Sequence, residues 1–518
     1  MRMMHHEKRT TWHGSVTVFF SLTGVLILCL LLAVVEAVRI QGAKAQTASL
    51  EGVANFSVLA EYEKNLLEEF EIFALDGAGG SGSFQIQKSE GRLRHYLKAN
   101  TDPLSGEGGF GLFDPWRLML TDCEIQGYAL LTDEQGEPFY QQAVAYMKAT
   151  PQLLADKLPQ ADTGTIRELK MLGEQYERRQ EENDKELDVL EAEKKKQEAE
   201  KQQEASEAGE PPVKDHMSAV IPVKNPLIAL GRLKRRGTLA LVTGGEHVST
   251  TTIPTGAFPS RRHLQNGNLK LEKKNQGMAA DALFREYLLM QFPNYCKEAK
   301  EELKYQAEYL ISGKPSDRKN LKYVVKRLLF LREGLNYQYC LQHQNLNGAA
   351  GELALALTGM FGMPALTKAM QHALLLGLAY GESLLDVRIL LSGGKIPLLK
   401  DVASWKLSFA TLGSLGNLLE RVDGSEAEEE EGLSYTDYLR ILLQMCRRSD
   451  LKLRALDLIQ YRLQNQEGSE CFQAQNAIVA IKTEAKWSCR PVFYSLPQAV
   501  FGLGAGGTNI WQSGSIAY

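Results

Sequence analysis

The sequence predicts an α+β fold that is mostly α-helical, in which an N-terminal transmembrane helix continues into a long exported helix. Residues 15–35 contain no charge, and apolar residues then recur at helical spacing without a proline as far as Asp76. Helix start and stop signals fill the second half of the chain, whereas strand-like alternation is limited to short stretches. The remainder is therefore expected to be a helix-rich extracytoplasmic domain with a small β component.

The charge-free segment sets the expected location. About 20 apolar residues, each rising about 1.5 Å, match a hydrocarbon core roughly 30 Å thick. The short leader carries Arg2, Lys8 and Arg9 against Glu7. Because basic flanks stay inside, we predict a single-pass protein of the cell membrane, with a cytoplasmic N-terminus and an extracytoplasmic C-terminal domain.

Three interpretations of this segment are open. The first is an uncleaved signal anchor, which its length and flanks favour. The second is a secretory signal peptide cut after Ala45 in an A-x-A context, although Arg39 and Lys44 lie where such a region is normally neutral. The third is a pilin-type leader cut at Gly14, although Phe19 occupies the position where pilin-type segments usually carry glutamate.

The composition excludes some classes of protein. A chain of 518 residues with 44% hydrophobic and 24% charged residues has room for one large or two small globular domains. A formal net charge of −4 argues against a nucleic-acid partner. Of seven cysteines, Cys29 lies in the membrane segment. The other six allow fifteen pairings; free thiols are favoured, and Cys471 with Cys489 is the first pair to test. The sequence contains no C-x-x-C motif.

The elements follow in order along the chain. One helix is predicted from Ser15 to Phe73, ended by the glycine-rich run at Gly77. Residues 164–208 predict a short coiled coil or docked helix that fades into a solvated arm. Further helices are predicted at 93–97, 137–147, 225–237, 279–290, 316–340, within 348–392, 434–445 and 450–463, with strands at 125–133, 238–243, 303–311 and 477–487.

These predictions divide the chain into seven segments. They are a basic cytoplasmic leader (1–14), a transmembrane helix (15–38), an exported helical stem (39–76), an α/β part of the ectodomain (84–160), a charged helical or coiled-coil arm (164–208), a main helix-rich ectodomain (217–500) and a weakly ordered glycine-rich tail (501–518).

One pair of acidic residues is a weak candidate for chemistry. Glu382 and Asp386 lie one helical turn apart on one face, with Arg388 nearby. They form either an acid pair for catalysis or metal binding, or buried carboxylates with salt-bridge partners, which is the commoner case. His343 and His372 are isolated, and the G-x-S-x-G and H-E-x-x-H motifs are absent. We expect no enzymatic activity, no cofactor, no metal and no small-molecule substrate.

Several segments resemble an uncharacterised family of membrane-anchored proteins from Gram-positive anaerobes, known as a domain of unknown function. They are 14–45, 59–76 (LAEYEKNLLEEFEIFALD), 281–292, 308–336 (EYLISGKPSDRKNLKYVVKRLLFLREGLN), 382–400 and 433–443. The resemblance covers nearly the whole chain except residues 164–216 and the tail. It implies no catalytic residues.

The N-terminal segment is also similar to the small pilin-like proteins of tight-adherence (Flp-type) pilus systems. A glycine and hydroxyl residues precede the apolar run, and Glu36 and Arg39 follow it as a Glu-x-x-Arg pair. The similarity implies an accessory or minor pilin-like component of such a pilus or secretion assembly, with the lipid bilayer and other envelope proteins as partners. Glu36, Arg39 and Gly42 are the candidate assembly contacts. Glu36 and Arg39 form either an intrahelical pair or contacts to a neighbouring helix, or else Glu36 reaches headgroup water and Arg39 snorkels. The alternatives are a membrane-anchored enzyme acting on cell-wall material, or a surface receptor or adhesin.

Overall fold

A computed structural model describes residues 13–101, 115–150, 152, 163–207, 225–244, 248–297, 303–421, 432–493 and 507–518. The chain forms two compact units. The first contains residues 1–142, 263–274 and 459–518, and the second contains residues 143–262 and 275–458. Each unit therefore draws on segments that are distant in the sequence.

The first unit consists of long helix α1 and a four-stranded antiparallel sheet with short helices beside it. Its elements are α1 (His13–Leu59), α2 (Lys64–Phe70), β1 (Leu75–Asp76), α3 (Ile86–Thr101), β2 (Leu118–Leu130), β3 (Ala477–Cys489) and β4 (Thr508–Ala517). Two helices, α4 (Asp133–Ala149) and α16 (Arg448–Gln464), contribute residues to both units. The mostly helical α+β class predicted from the sequence is confirmed.

Strand β3 is the centre of the sheet. It pairs with β2 along one side and with β4 and β1 along the other. The second half of α1 packs on this sheet, where Thr483 of β3 bonds to Glu51 and Asn55 in the core. Trp487 of β3 is fully buried in the same core. Burial of such an aromatic side chain contributes about 2–3 kcal/mol and ties α1 to the sheet.

Helix α1 is shorter than predicted, because the expected continuation to Phe73 ends at Leu59. Residue Glu63 instead donates its backbone N–H to Ala74, and the ring of Tyr62 packs against Phe73 at 5.3 Å. The hydroxyl of Tyr518, just beyond β4, bonds to the carbonyl of Leu59 at the same end of the sheet. If α1 continued straight to Phe73, Leu66 and Phe70 would lie beyond the sheet. Because the chain turns after Leu59, α2 can bury both side chains.

The glycine-rich tail is also more ordered than predicted where the structure describes it. Residues Thr508–Ala517 form β4, which pairs with β3 in a continuous antiparallel register. Strand β3 itself was predicted at 477–487 and is confirmed. Glycines and serines weaken local strand propensity, so the pairing with a buried neighbour decides the structure here.

The second unit is helical. Its helices are α5 (Thr163–Glu207), α6 (Pro226–Arg236), α7 (Thr238–Thr243), α8 (Met278–Gln291), α9 (Gln306–Ser312), α10 (Asp317–Gln342), α11 (Gln344–Thr358), α12 (Pro364–Leu391), α13 (Phe409–Leu412), α14 (Leu415–Arg421) and α15 (Tyr435–Gln444). The predicted helix starts are confirmed at Asn225, Ser316 and Ser434, whose side chains accept hydrogen bonds from the first turn.

Two predicted strands are wrong, because 238–243 and 303–311 contain helices α7 and α9. All seven residues of α9 are buried. When every side of a segment is buried, alternation of residue types no longer reports which side faces water. Helix α7 lies between Gly237 and Gly244, both with positive φ, and these glycines set its ends.

Helix α5 occupies the charged segment and packs against neighbouring helices of the second unit. Leu169, Tyr176 and Leu190 are buried, and α5 packs against α10 and α12. The Tyr176 ring meets Tyr337 edge-on at 5.8 Å. Gly173 lies against Phe330 of α10, so the weak apolar seam is used within this chain.

Candidate functional site

The polar pair Glu36 and Arg39 at the C-terminal end of the apolar segment is buried within the protein. Arg39 bonds to Glu36 through Nη2 at 2.6 Å and through Nε at 3.1 Å. Glu36 is 2% exposed and Arg39 is 7% exposed. Arg39 also donates to the carbonyls of Trp116 at 2.6 Å and Arg490 at 2.7 Å. We call this contact between α1 and the loops around Trp116 and Arg490 the α1 junction.

The second oxygen of Glu36 completes the α1 junction. It accepts hydrogen bonds from the backbone N–H groups of Val492 at 3.3 Å and Phe493 at 3.0 Å. Each charged group therefore has several partners, as buried charges require. The carboxylate and the guanidinium act as one unit that holds against α1 the segment before β2 and the segment after β3, which lie at the same end of the sheet because Leu118 pairs with Cys489.

Gly42 is one turn further along and makes a close approach possible. A Cβ atom at this position would lie 2.3 Å from Cη2 of Trp116. Only a glycine allows the indole ring this close to the helix backbone. All three candidate assembly residues, Glu36, Arg39 and Gly42, thus meet at one place and contact their own chain.

The two candidate processing positions both lie inside α1. Gly14 is in its first turn, and Ala45 is exposed near its middle. The helix is continuous through both positions. Beyond Ala45, the side chains of Leu50, Ala54 and Val58 belong to the core of the first unit.

Glu382 and Asp386 do come together, in the second unit, but with partners other than the predicted Arg388. Asp386 accepts from Nε of Arg332 at 2.9 Å and lies 2.7 Å from Nζ of Lys400. Lys400 also bonds to Glu382. These four residues form the buried charge cluster, and their side chains are at most 2% exposed. Two carboxylates and two cations balance their charges.

The remaining polar atoms of the buried charge cluster bond to neighbouring groups. Glu382 accepts from the backbone N–H groups of Lys406 at 3.0 Å and Leu407 at 2.9 Å. Arg332 donates to the carbonyls of Pro397 at 3.0 Å and Leu398 at 2.8 Å. Asn336 donates to Asp386 at 2.9 Å. The cluster therefore ties α10, α12 and the 397–407 segment together.

The pKa values of the two acids in the buried charge cluster are shifted in opposite directions. Burial raises the pKa of Glu382, despite the opposing charge of Lys400. Burial alone would also raise the pKa of Asp386, but Arg332 and Lys400 outweigh it and hold that pKa below its usual range. Glu382 is bound by Lys400 and two backbone N–H groups, and Asp386 by Arg332, Lys400 and Asn336, which is the arrangement of a structural ion network.

Sequence reasoning missed both cations of the cluster. Arg332 lies on the buried face of α10 with Leu328, Leu331 and Leu335. An arginine among leucines on an apolar helix face indicates a buried partner for its charge, and this pattern could have predicted its role. Lys400 lies in an irregular segment where no periodicity marks it. Arg388, the predicted neighbour, instead donates to the carbonyl of Val242 at 3.2 Å.

Histidines, cysteines and the other acidic residues are the remaining side chains that could carry chemistry in the described part of the chain. Within it, no group of three or more histidine, cysteine, aspartate or glutamate residues is arranged to hold a metal ion. All seven cysteines are free, as the sequence favoured, and Cys471 is exposed whereas Cys489 is buried. Neither His343 nor His372 is among the described partners of the two acids.

Glu308 is a further buried acid that the sequence did not single out. It is fully buried in α9, and its Oε1 accepts from the Tyr435 hydroxyl at 2.6 Å and the Tyr295 N–H at 2.9 Å. Burial raises the pKa of Glu308 to about 7, although both hydrogen bonds oppose the rise, and the charge of Asp317 adds to it.

This acid predicts a pH dependence of stability. The pKa of Glu308 is about 7 in the folded protein, against an ordinary value of 4.5. Between these values the folded state keeps a proton that the unfolded state has released, so stability falls as pH rises. Relative to Glu308→Gln, we expect wild-type unfolding free energy to fall by about 3 kcal/mol across this range.

Urea unfolding at several pH values measures the difference between these two proteins. Glu352→Gln changes an exposed carboxylate on α11 and serves as the control. A constant difference between wild type and Glu308→Gln from pH 4.5 to 7 would contradict the expectation.

Most of the second unit matches a known protein family. The model of a family of unknown function, DUF5702, matches residues 218–489. The chain belongs to this family. The matched region runs from α6 through β3 and includes the buried charge cluster and Glu308. The expected membership in an uncharacterised family is thereby confirmed, whereas α1 and α5 lie outside the matched region.

The family carries no assigned activity. Searches of the curated proteins and of the solved structures found no match. The family description therefore supplies no ligand or reaction for the sites described above.

Proposed function

We propose that this protein is a non-enzymatic, single-pass envelope protein, and an accessory or minor pilin-like component of a tight-adherence-type pilus or secretion assembly. Its N-terminus is cytoplasmic and its helix-rich part is extracytoplasmic. The observation that carries the proposal is the contrast between the two halves of α1. The first half is apolar and uncovered, and the second half forms part of a folded core.

The uncovered half requires a partner. Among the described residues, α1 is the one helix long and apolar enough to cross a membrane; its most apolar stretch has a mean hydropathy of 2.9 and is 6% buried. Phe20, for example, is 68% exposed. Transfer of each such side chain from water to apolar surroundings is favourable by about 1.5–3 kcal/mol of free energy. Lipid or other apolar helices are the surroundings that satisfy this segment.

The continuity of α1 supports an anchor over a cleaved signal peptide. Cleavage after Ala45 would remove Glu36, Arg39 and Ala43, all of which are buried in the first unit. It would also separate the α1 junction from the loops that it holds. A segment that supplies core residues to the mature domain is better suited to being retained.

The shape of α1 supports the pilin-like proposal. A long helix with an apolar free half and a second half packed on an antiparallel sheet is the arrangement expected of a pilin-like subunit. The exposed face of the second half carries small residues, Ala45, Ala48 and Gly52, together with the apolar side chains of Val53 and Phe56, and Lys44 is its exposed charge between Ala37 and Phe56. Small residues allow helices to approach closely.

Crosslinking in native cells tests the proposal. We expect photo-crosslinkers at Phe20 and Gly52 of the full chain to capture pilus or secretion subunits, and a crosslinker at exposed Lys322 of α10 to capture none of them. The same preparation gives the mature N-terminus, expected at Met1 or Ser15. Neighbours drawn only from the cell wall would contradict the pilin-like role. A soluble product beginning at Gln46 would contradict the anchor.

A further inference from the structure

The sheet of the first unit has two very different edges. The outer edge of β2 is capped by other parts of the chain. Asn268 accepts from the N–H of Tyr128 at 2.8 Å and donates to the carbonyl of Gln126 at 2.9 Å. Glu90 accepts from the N–H of Ile125 at 3.1 Å. Register shifts at three places also make β2 irregular. These are the devices that protect an edge strand.

The outer edge of β4 has no such cover in the described part of the chain. The N–H of Tyr518 donates to the carbonyl of Val479, so even-numbered residues of β4 face β3. Odd-numbered residues therefore direct their backbone groups away from the sheet. They are Asn509, Trp511, Ser513, Ser515 and Ala517. None of these groups has a backbone or side-chain partner among the described residues.

Strand β4 also lacks the usual protection within its own sequence. It contains no charge and no proline, and its register with β3 has no bulge. The sequence has no charged residue from Pro491 to Tyr518. Trp511 is 59% exposed on the outer face beside this edge. Proteins normally blunt such an edge with charges, proline or bulges, because it is a template for strand pairing.

We propose that the β4 edge is a strand-addition site that takes an extended, uncharged segment of another protein chain. The row of outward N–H and carbonyl groups needs a strand, since only a strand matches their spacing. Ten residues of β4 span about 33 Å, so the partner segment is about ten residues long. A charged residue along that segment would meet no charged partner on β4 itself, and Lys486 of β3 is already engaged over the ring of Trp511 at 4.5 Å.

A symmetric pair of β4 edges from two copies fits less well. Helix α1 runs beside β4 in the same direction, because Gln512 bonds to Lys44 and Tyr518 bonds to Leu59. Antiparallel pairing of two β4 strands about a twofold axis would turn the two α1 helices in opposite directions. Their apolar halves then could not enter one membrane. This step rests on the proposed membrane anchor, whereas the open edge itself does not.

The test uses the purified full chain in detergent and a fluorescent peptide with the β4 sequence, TNIWQSGSIA, as the neutral strand. We expect saturable binding of one peptide per chain. Ser513→Pro should weaken it at least tenfold, because proline removes an outward N–H without breaking the β3 ladder. Ser513→Ala keeps that N–H and should bind within twofold of wild type. Hydrogen exchange should show new protection at Trp511, Ser513 and Ser515.

Several outcomes would overturn the proposal. They are absence of saturable binding, equal binding to Ser513→Pro and wild type, or protection elsewhere than β4. A wild-type dimer that Ser513→Pro converts to monomer would assign the edge to a second copy instead. If Ser513→Pro fails to fold by circular dichroism, Ser515→Pro replaces it, with Ser515→Ala as its control. The assay needs neither membrane nor pilus subunits, so its failure is separable from failure of the proposed function.

Discussion

Replacement of Arg332 by methionine is expected to lower the free energy of unfolding by about 3–5 kcal/mol. Arg332 is fully buried, and its loss leaves Asp386 and Glu382 to share the single cation of Lys400. It also removes the donors to the carbonyls of Pro397 and Leu398. An uncompensated buried carboxylate costs far more than the ion pair contributes. Urea unfolding followed by circular dichroism measures the change.

An exposed ion pair provides the control for this prediction. Lys64 and Glu68 lie 3.5 Å apart with side chains 77% and 61% exposed, so Lys64→Ala should change the unfolding free energy by less than about 0.5 kcal/mol. The double change Arg332→Met with Asp386→Leu removes one charge of each sign. It should cost less than the sum of the two single changes. A loss below about 1 kcal/mol for Arg332→Met would show that the cluster does not hold the helices.

Arg39→Ala is expected to destabilise the first unit by about 3 kcal/mol or more, because Glu36 stays buried without its cation. The change also removes the Arg39 donor to the carbonyls of Trp116 and Arg490, of which that of Trp116 keeps the Cys489 thiol as a weak donor. Each buried acceptor left unpaired costs about 1–3 kcal/mol. Trp116 touches Gly42 at the α1 junction, so tryptophan fluorescence during urea unfolding reports the change.

Lys44→Ala is the matched control on the same helix. Lys44 is exposed, and its replacement should leave the unfolding free energy within about 0.5 kcal/mol of wild type. If Arg39→Ala and Lys44→Ala change the unfolding free energy equally little, Arg39 does not hold the loops. A role for Arg39 in contacts with lipid or neighbouring chains would then be favoured. If Arg39→Ala unfolds the unit, assembly assays with this variant would report stability instead of contact.

Local sequence signals predicted much of the helical architecture. The N-caps at Ser316 and Ser434 were found because capping depends on a few adjacent residues. The strand at 477–487 was found from its composition and alternation. The failures at α7 and α9 are both in helices of six or seven residues, too short to show a helical period. In α9 every residue is buried as well, so its pattern of residue types reflects packing on all sides.

In the candidate sites, too, contacts within one helix could be predicted from the sequence, whereas contacts between distant segments could not. The pairing of Glu36 with Arg39 follows from their spacing on one helix, and it was one of the alternatives that the sequence left open. The acceptors of Arg39 at Trp116 and Arg490 were not predicted, because Arg490 is 451 positions away in the chain. Likewise, the one-turn spacing of Glu382 and Asp386 was visible, whereas the cations that neutralise them come from another helix and an irregular segment.

The amino-acid order alone is enough to place one uncharged apolar helix near the N-terminus and to mark the starts of several later helices, because these depend on residues within a turn or two of each other. Tertiary structure decides that α1 ends at Leu59, that β4 extends the sheet, and that the charged pair of α1 is held inside the first unit. These outcomes depend on contacts between distant segments, whose free energy comes from burial and hydrogen bonding that no local pattern records.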